Sequence, residues 1–207
     1  MQATDGIIQI TSTAIKSTNL TDNSTRITGY IYNINFKNIT FIKPDGTQTQ
    51  STVPFGNYTT TISALAFGFN QEVDKSTCSD KIYDFIGGEV FTLDVSNYTT
   101  LFASEVTTTP RTALISSSNK LSYRLYSGTI TNAYFCATTI PTIPTLTQQW
   151  DAIDGIAGTS GIIEVTTTTL TSSTYLHTIR LKNVTLKKGN SDFSLGNDYL
   201  FGTLITN

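Results

Sequence analysis

Apolar and polar residues alternate with a period of two through most of this chain, which predicts strands and not helices. Ile8 and Ile10 alternate with polar neighbours, and Ala14 continues that side. In the next segment Ile27, Gly29, Ile31 and Asn33 share one side, while Tyr30, Tyr32, Ile34 and Phe36 share the other. That strand reads as buried on both sides near its middle. Ile39 and Phe41 lead into Lys43-Pro44-Asp45-Gly46, a tight reversal in which Pro sets φ and Gly accepts a positive φ. The stretch from Val53 to Thr61 then returns. After a polar stretch from Glu72 to Asp80, strands are predicted around 82–86, 90–95, 101–106, 112–116, 121–126 and 129–137. Gly87-Gly88, Ser117-Ser118-Asn119-Lys120 and Ser127-Gly128 supply their turns. One helix is predicted near 145–154. There Thr145 and Gln148 fit a capping box, Leu146, Trp150 and Ile153 form an apolar stripe, and Gly155 can terminate it. Short strands at this spacing predict an all-β, antiparallel, sandwich-like fold with one short helix.

The pattern also repeats. Gly6-Ile7-Ile8-Gln9-Ile10-Thr11-Ser12-Thr13 matches Gly161-Ile162-Ile163-Glu164-Val165-Thr166-Thr167-Thr168. Ile34-Asn35-Phe36-Lys37-Asn38-Ile39-Thr40 matches Ile179-Arg180-Leu181-Lys182-Asn183-Val184-Thr185, and Phe55-Gly56-Asn57-Tyr58-Thr59-Thr60 matches Phe201-Gly202-Thr203-Leu204-Ile205-Thr206. Three blocks in one order imply duplicated strand units. The implied organisation is a partial first β module over 1–74, the second half of a repeat, and a complete second module over 75–207. A first module that lacks its front half points to trimming, proteolytic maturation or domain excision, or else to duplicated hairpins around an inserted middle segment.

The 207 residues are 38% hydrophobic, 11% aromatic and only 14% charged, with a formal net charge of -2. Such a chain can bury a core, and with no basic stripe it is not expected to bind nucleic acid. The short run Lys182, Lys187, Lys188, beside the predicted turn Gly189-Asn190, reads as a solvated strand end. Thr is abundant, with Ser, Asn and Tyr behind it, which suits strands whose outer faces are wet but uncharged. No segment approaches the ~18 apolar residues of a membrane-spanning helix, and residues 1–5 lack the basic start and apolar run of a signal peptide. Cys78 and Cys136 read as one disulfide in an exported protein, or as two buried thiols in a reducing compartment.

No catalytic or cofactor motif stands out. His177 reads as a structural or surface histidine, because no Gly-x-Ser-x-Gly or oriented nucleophile accompanies it. Glu89 with Asp94, and Asp151 with Asp154, are acid pairs only by proximity in sequence. Asn190, Asp192, Asn197 and Asp198 could supply oxygen ligands to calcium or serve as ordinary turn residues. The lone Trp150 reads as a core anchor, with a sugar-stacking platform as the sharper alternative. Of the Asn-x-Thr sequons at Asn19, Asn23, Asn38, Asn57, Asn97 and Asn183, Asn38 and Asn183 share one repeat position, which favours a structural origin.

The block Cys78-Ser79-Asp80-Lys81-Ile82-Tyr83-Asp84-Phe85, with Gln148-Gln149-Trp150-Asp151-Ala152-Ile153 and Lys182-Asn183-Val184-Thr185-Leu186, resembles small exported lipoproteins of Bacteroidota over roughly the second two-thirds of the chain. That resemblance implies a lipid anchor on an N-terminal Cys and a place at the outer membrane, alone or with secretion or uptake machinery. The chain carries neither lipobox nor N-terminal Cys, and the family offers no active-site residues to carry over. The expected function is a non-enzymatic extracellular or cell-surface binding module for a protein or glycan partner. The alternative is a structural subunit of a shell, fibre or filament, self-associating by strand pairing between copies.

Overall fold

The computed structural model describes residues 2–137 and 141–207. Its strands are β1 (Ala3–Thr18), β2 (Thr25–Lys43), β3 (Gly46–Thr61), β4 (Asp74–Lys75), β5 (Lys81–Ile86), β6 (Glu89–Asp94), β7 (Arg111–Leu114), β8 (Leu121–Tyr126), β9 (Leu146–Ala152), β10 (Ile162–Thr169), β11 (Tyr175–Lys182), β12 (Thr185–Lys188), β13 (Ser191–Ser194) and β14 (Tyr199–Thr206). A one-turn helix α1 (Tyr98–Leu101) and a 3-10 turn over Asn132–Cys136 are the helical pieces among the described residues. The fold is all-β, with three antiparallel sheets ordered β1-β2-β3, β14-β11-β10-β7 and β13-β12-β9-β8-β6-β5-β4. The chain divides into two units, one comprising residues up to Ser17 with Arg26–Leu65, the other Thr18–Thr25 with Ala66–Asn207.

The first unit is a single meander of three long strands. Pro44-Asp45 turns β2 into β3, Lys43 pairs with Gly46, and Gly46 holds φ 134° as the sequence requires. The register slips between Ile34 and Asn35. Ile34 opposes Gly56 and Asn35 opposes Pro54, so Phe55 is the extra residue of a β-bulge. One face is polar: Asn33 donates to Asn57 at 2.8 Å, Asn35 donates to Asn33, and Lys37 donates to Thr52 at 3.0 Å. The other carries rings, with Tyr32 stacked on Tyr58 at 6.3 Å and Phe36 edge-on to Phe55 at 5.4 Å. This corrects the expectation that β2 is buried on both sides, because Asn33 is exposed and its face is wet.

In the second unit the four-stranded sheet packs on the seven-stranded one. Phe201 of β14 meets Phe91 of β6 at 5.1 Å, Tyr199 meets Phe91 at 6.0 Å, and Phe67 stacks on Tyr123 of β8 at 4.4 Å. Ile163, Val165, Ile179 and Leu181 complete the core with no exposed surface. The segment Thr18–Thr25 belongs to this unit: the Thr25 hydroxyl accepts from the Ser194 N–H at 2.7 Å, and Asp22 C=O accepts from the Asn197 N–H at 2.7 Å.

Three predicted elements are replaced. The helix near 145–154 is strand β9, paired to β8 on one side and β12 on the other. Thr145 spends its N–H and hydroxyl on the Ser127 hydroxyl at 2.9 and 3.0 Å instead of capping. The predicted strand at 101–106 is the end of α1 and a loop, which buries Leu101 and the adjacent Phe102. The predicted strand at 129–137 contains the 3-10 turn, where Phe135 stacks on Tyr83 at 3.7 Å; residues 138–140 lie outside the described residues.

Cys78 and Cys136 form a disulfide with Cα atoms 5.6 Å apart, closing a loop with a sequence separation of 58. A loop of that length constrains the unfolded chain by about 4 kcal/mol on the chain-entropy account. Reducing it, or replacing both residues by Ser, is expected to lower the urea-unfolding free energy by about that amount. Equilibrium unfolding with and without reductant measures it.

Candidate docking surface

The sequence repeat is repeated architecture. β1 corresponds to β10, β2 to β11 with β12, and β3 to β13 with β14. β1-β2-β3 and β10-β11-β14 are both antiparallel and in the same order, but in the second copy β12 and β13 join the other sheet. Each has a bulge at one place: Ile179 opposes Gly202 and Arg180 opposes Leu200, leaving Phe201 extra as Phe55 is in the first copy. Asn38 and Asn183 both adopt left-handed backbone, at φ 51° and 50°. Asn tolerates that conformation better than most residues, which gives the shared position a structural cause.

Burial is where the copies part. Ile163, Val165, Phe201 and Leu204 are 0, 0, 2 and 5% exposed, whereas their counterparts Ile8, Ile10, Phe55 and Tyr58 are 64, 57, 69 and 62% exposed. The cause is the missing cover, since in the second copy the seven-stranded sheet presents Phe91 against Phe201. The bulge glycines record the same difference. A Cβ on Gly202 would collide with Val73 Cγ1 and lie 2.8 Å from Gln71 O, while a Cβ on Gly56 would meet nothing within 4 Å. Gln71 C=O accepts from the Thr203 N–H at 2.8 Å and Thr203 C=O accepts from the Val73 N–H at 3.1 Å, so residues 71–73 line the outer edge of β14. No strand among the described residues pairs with the outer edge of β1 or β3. This face of the first sheet carries half-buried Tyr32, Ile34 and Phe36 and exposed Phe55 at its centre, with Ile8 beside Phe36 and Ile39 in a shallow depression.

Three of the sequence-flagged acids meet elsewhere. Asp94, Asp151 and Asp154 line a polar cleft of about 350 Å³ on the seven-stranded sheet, together with Arg124, Gln149 and Ser122. Glu89 lies at the other end of β6, outside it. Asp151 accepts from the Ser122 hydroxyl at 2.6 Å and from Gln149 at 2.8 Å, and Asp94 pairs with Lys81 at 2.9 Å. Asp151 and Asp94 are thus tied to neighbouring side chains of the same sheet. Burial does push one carboxyl up, that of Asp84 on β5, which accepts from the Gln71 N–H at 3.2 Å outside this cleft.

Trp150 is 4% exposed and edge-on to Phe193 at 5.2 Å. It is a core anchor, on a strand and not on the predicted helix, and it has no open face for a sugar. Asp198 pairs with Arg180 and Lys182, each at 3.0 Å. Lys182 is held above its usual range first by Asp198, so this member of the basic run is an ion-pair residue. Asp192 lies on β13, whose partner strand β12 is joined to it by Gly189-Asn190. Among the described residues no group of three His, Cys, Asp or Glu side chains is placed to hold a metal ion.

His177 is fully buried between Thr167, 2.8 Å from Nδ1, and Thr206, 2.9 Å from Nε2, with the Arg111 guanidinium donating to the same Thr167 hydroxyl at 2.9 Å. Burial, and secondarily the Arg111 cation, lower its pKa, so the imidazole is neutral in the fold.

No family model matches the chain, and no curated protein or solved structure shows significant similarity to it. The internal comparison between its own two copies is what defines the surface.

Two outcomes follow from this geometry. Phe201→Ala, inside the covered copy, is expected to cost about 3–5 kcal/mol, whereas Phe55→Ala, at an exposed position, is expected to cost well under half of that; paired urea titrations compare them. For His177, the unfolded chain takes up a proton below about pH 6.5 that the folded chain refuses, so stability falls as pH drops through that value toward the lowered folded pKa and is level above it. His177→Gln is expected to flatten that part of the profile, read from urea midpoints between pH 7.5 and 5.

Proposed function

We propose that this chain is a non-enzymatic interaction module that offers the Ile, Tyr and Phe face of β1–β3 to a β-sheet of a protein partner. The observation that carries the reading is the contrast between Phe55, 69% exposed, and Phe201, 2% exposed, at equivalent positions of one repeated sheet. A contiguous exposed apolar patch on a sheet face marks an interaction site. The face mixes aliphatic Ile8, Ile10 and Ile34 with its rings, which suits another protein better than a glycan. The disulfide supports an oxidising compartment, and hence a place outside the cell or on its surface. No helix among the described residues is long and apolar enough to cross a membrane. The open outer edges of β1 and β3 favour one second reading, a structural subunit whose strands pair between copies.

A photo-cross-linking residue tests the docking face in the source cells. With p-benzoylphenylalanine in place of Phe55, adducts with a protein are expected. With the same residue in place of Thr59, on the polar face opposite Ile31, they are not. Equal labelling from both positions, or none from either, removes the docking reading.

A further inference from the structure

The partner that best fits this face is a second copy of the same face, and we propose that the chain forms a twofold dimer by packing its two β1–β3 sheets together; this rests on the docking reading above. Length supplies the first argument. β1, β2 and β3 have 16, 19 and 16 residues, whereas β5, β6 and β8 have 6 each and β9 has 7. In the second copy the counterparts of the β2 end and β3 start, β12 and β13, leave the covered sheet for the seven-stranded one. In the first copy β2 and β3 run on unbroken to a length that strands of 6 and 7 residues do not match and another β1–β3 sheet does. That seven-stranded sheet already has Phe201 of its own chain against it, so it is not on offer to a neighbour.

Area supplies the second. Strands of this length rise about 3.3 Å per residue and lie about 4.8 Å apart, so one face covers roughly 700 Å² and two facing copies remove about 1,400 Å² in total. A stable protein interface needs about 1,200–2,000 Å². Charge supplies the third. The residues at the centre of the face, Ile10, Tyr32, Ile34, Phe36, Phe55 and Tyr58, are all uncharged, and Lys37 bonds to Thr52 on the opposite side. At the centre like therefore meets like without repulsion, as an isologous interface requires, with Lys16 and Arg26 kept to one end of the strands.

Sedimentation analysis of the full chain over a concentration series decides the matter. The wild type is expected to approach twice 22.6 kDa. Phe55→Asp on β3 and Ile10→Asp on β1, both at exposed positions, are each expected to weaken the dimer at least tenfold, and Asn57→Asp on the polar face is expected to leave it intact. Circular dichroism checks that the variants fold, and the two charge variants on different strands guard against the loss of either. A monomer at every concentration, or a dimer indifferent to both charge variants, overturns self-pairing. If the purified chain stays monomeric while the cross-linker at position 55 still captures a different protein in cells, self-pairing fails and the docking reading stands. If position 55 also captures nothing, both fail.

Discussion

The contact between Phe91 on β6 and Phe201 on β14 shows what organises the covered half of this protein. Phe201 is the extra residue of a bulge, turned inward where Ile179 opposes Gly202, and it meets Phe91, which also touches Phe67, Phe69, Tyr123 and Tyr199. Each such side chain removed from water contributes about 1.5–3 kcal/mol, so a cluster of this size sets which faces of the two sheets must meet. The neighbouring details serve that meeting. Gly202 leaves room for Gln71 and Val73 to lie against β14, and Trp150 extends the cluster through Phe193 toward the far edge of the seven-stranded sheet.

The same bulge, with the same aromatic residue, occurs in β3, where Phe55 is exposed. A β-bulge costs ladder hydrogen bonds and is retained where it re-aims a side chain. Phe55 is aimed, as Phe201 is, at the position of a covering layer, and the opposite face is tied into Asn and Lys–Thr hydrogen bonds that prefer water. A sheet with one wet side and one apolar side specifies its register well but leaves half of its stabilisation to whatever lies across from it.

How much of this was legible in the sequence follows from what each signal encodes. The repeat was visible because it rests on backbone demands, a left-handed Asn at positions 38 and 183 and a glycine beside each bulge aromatic, which few residues satisfy. Strand β8 and the turns at Pro44-Asp45 and Gly189-Asn190 were legible for the same reason, since period and turn chemistry agree there. The stretch around Trp150 was ambiguous in principle. Leu146, Gln148 and Trp150 alternate as a strand, while Leu146, Trp150 and Ile153 space as a helix, and only hydrogen bonding from β8 and β12 on both sides settles it. The cleft containing Asp94 and Asp151 was half-legible: the acids could be named, but their meeting depends on the adjacency of β6, β8 and β9. Least legible was exposure. Ile8 and Ile163 sit in nearly identical strings, because alternation records that a face is meant to be buried and says nothing of what buries it.

The edges of the first sheet argue for which mode of association the chain favours. β3 runs for 16 residues at an edge, long enough to invite strand pairing, yet it carries Pro54, which lacks an N–H, directly before the Phe55 bulge. Both features interrupt a ladder and are common on edges that must stay single. The apolar face has no such defence. Its tyrosines and phenylalanines stand in ordered ring contacts at Tyr32–Tyr58 and Phe36–Phe55, a preformed surface that loses little conformational freedom when covered. At the β3 edge these interruptions disfavour strand addition, which supports the proposed stacking of apolar faces over extension through that edge, while the β1 edge carries no proline.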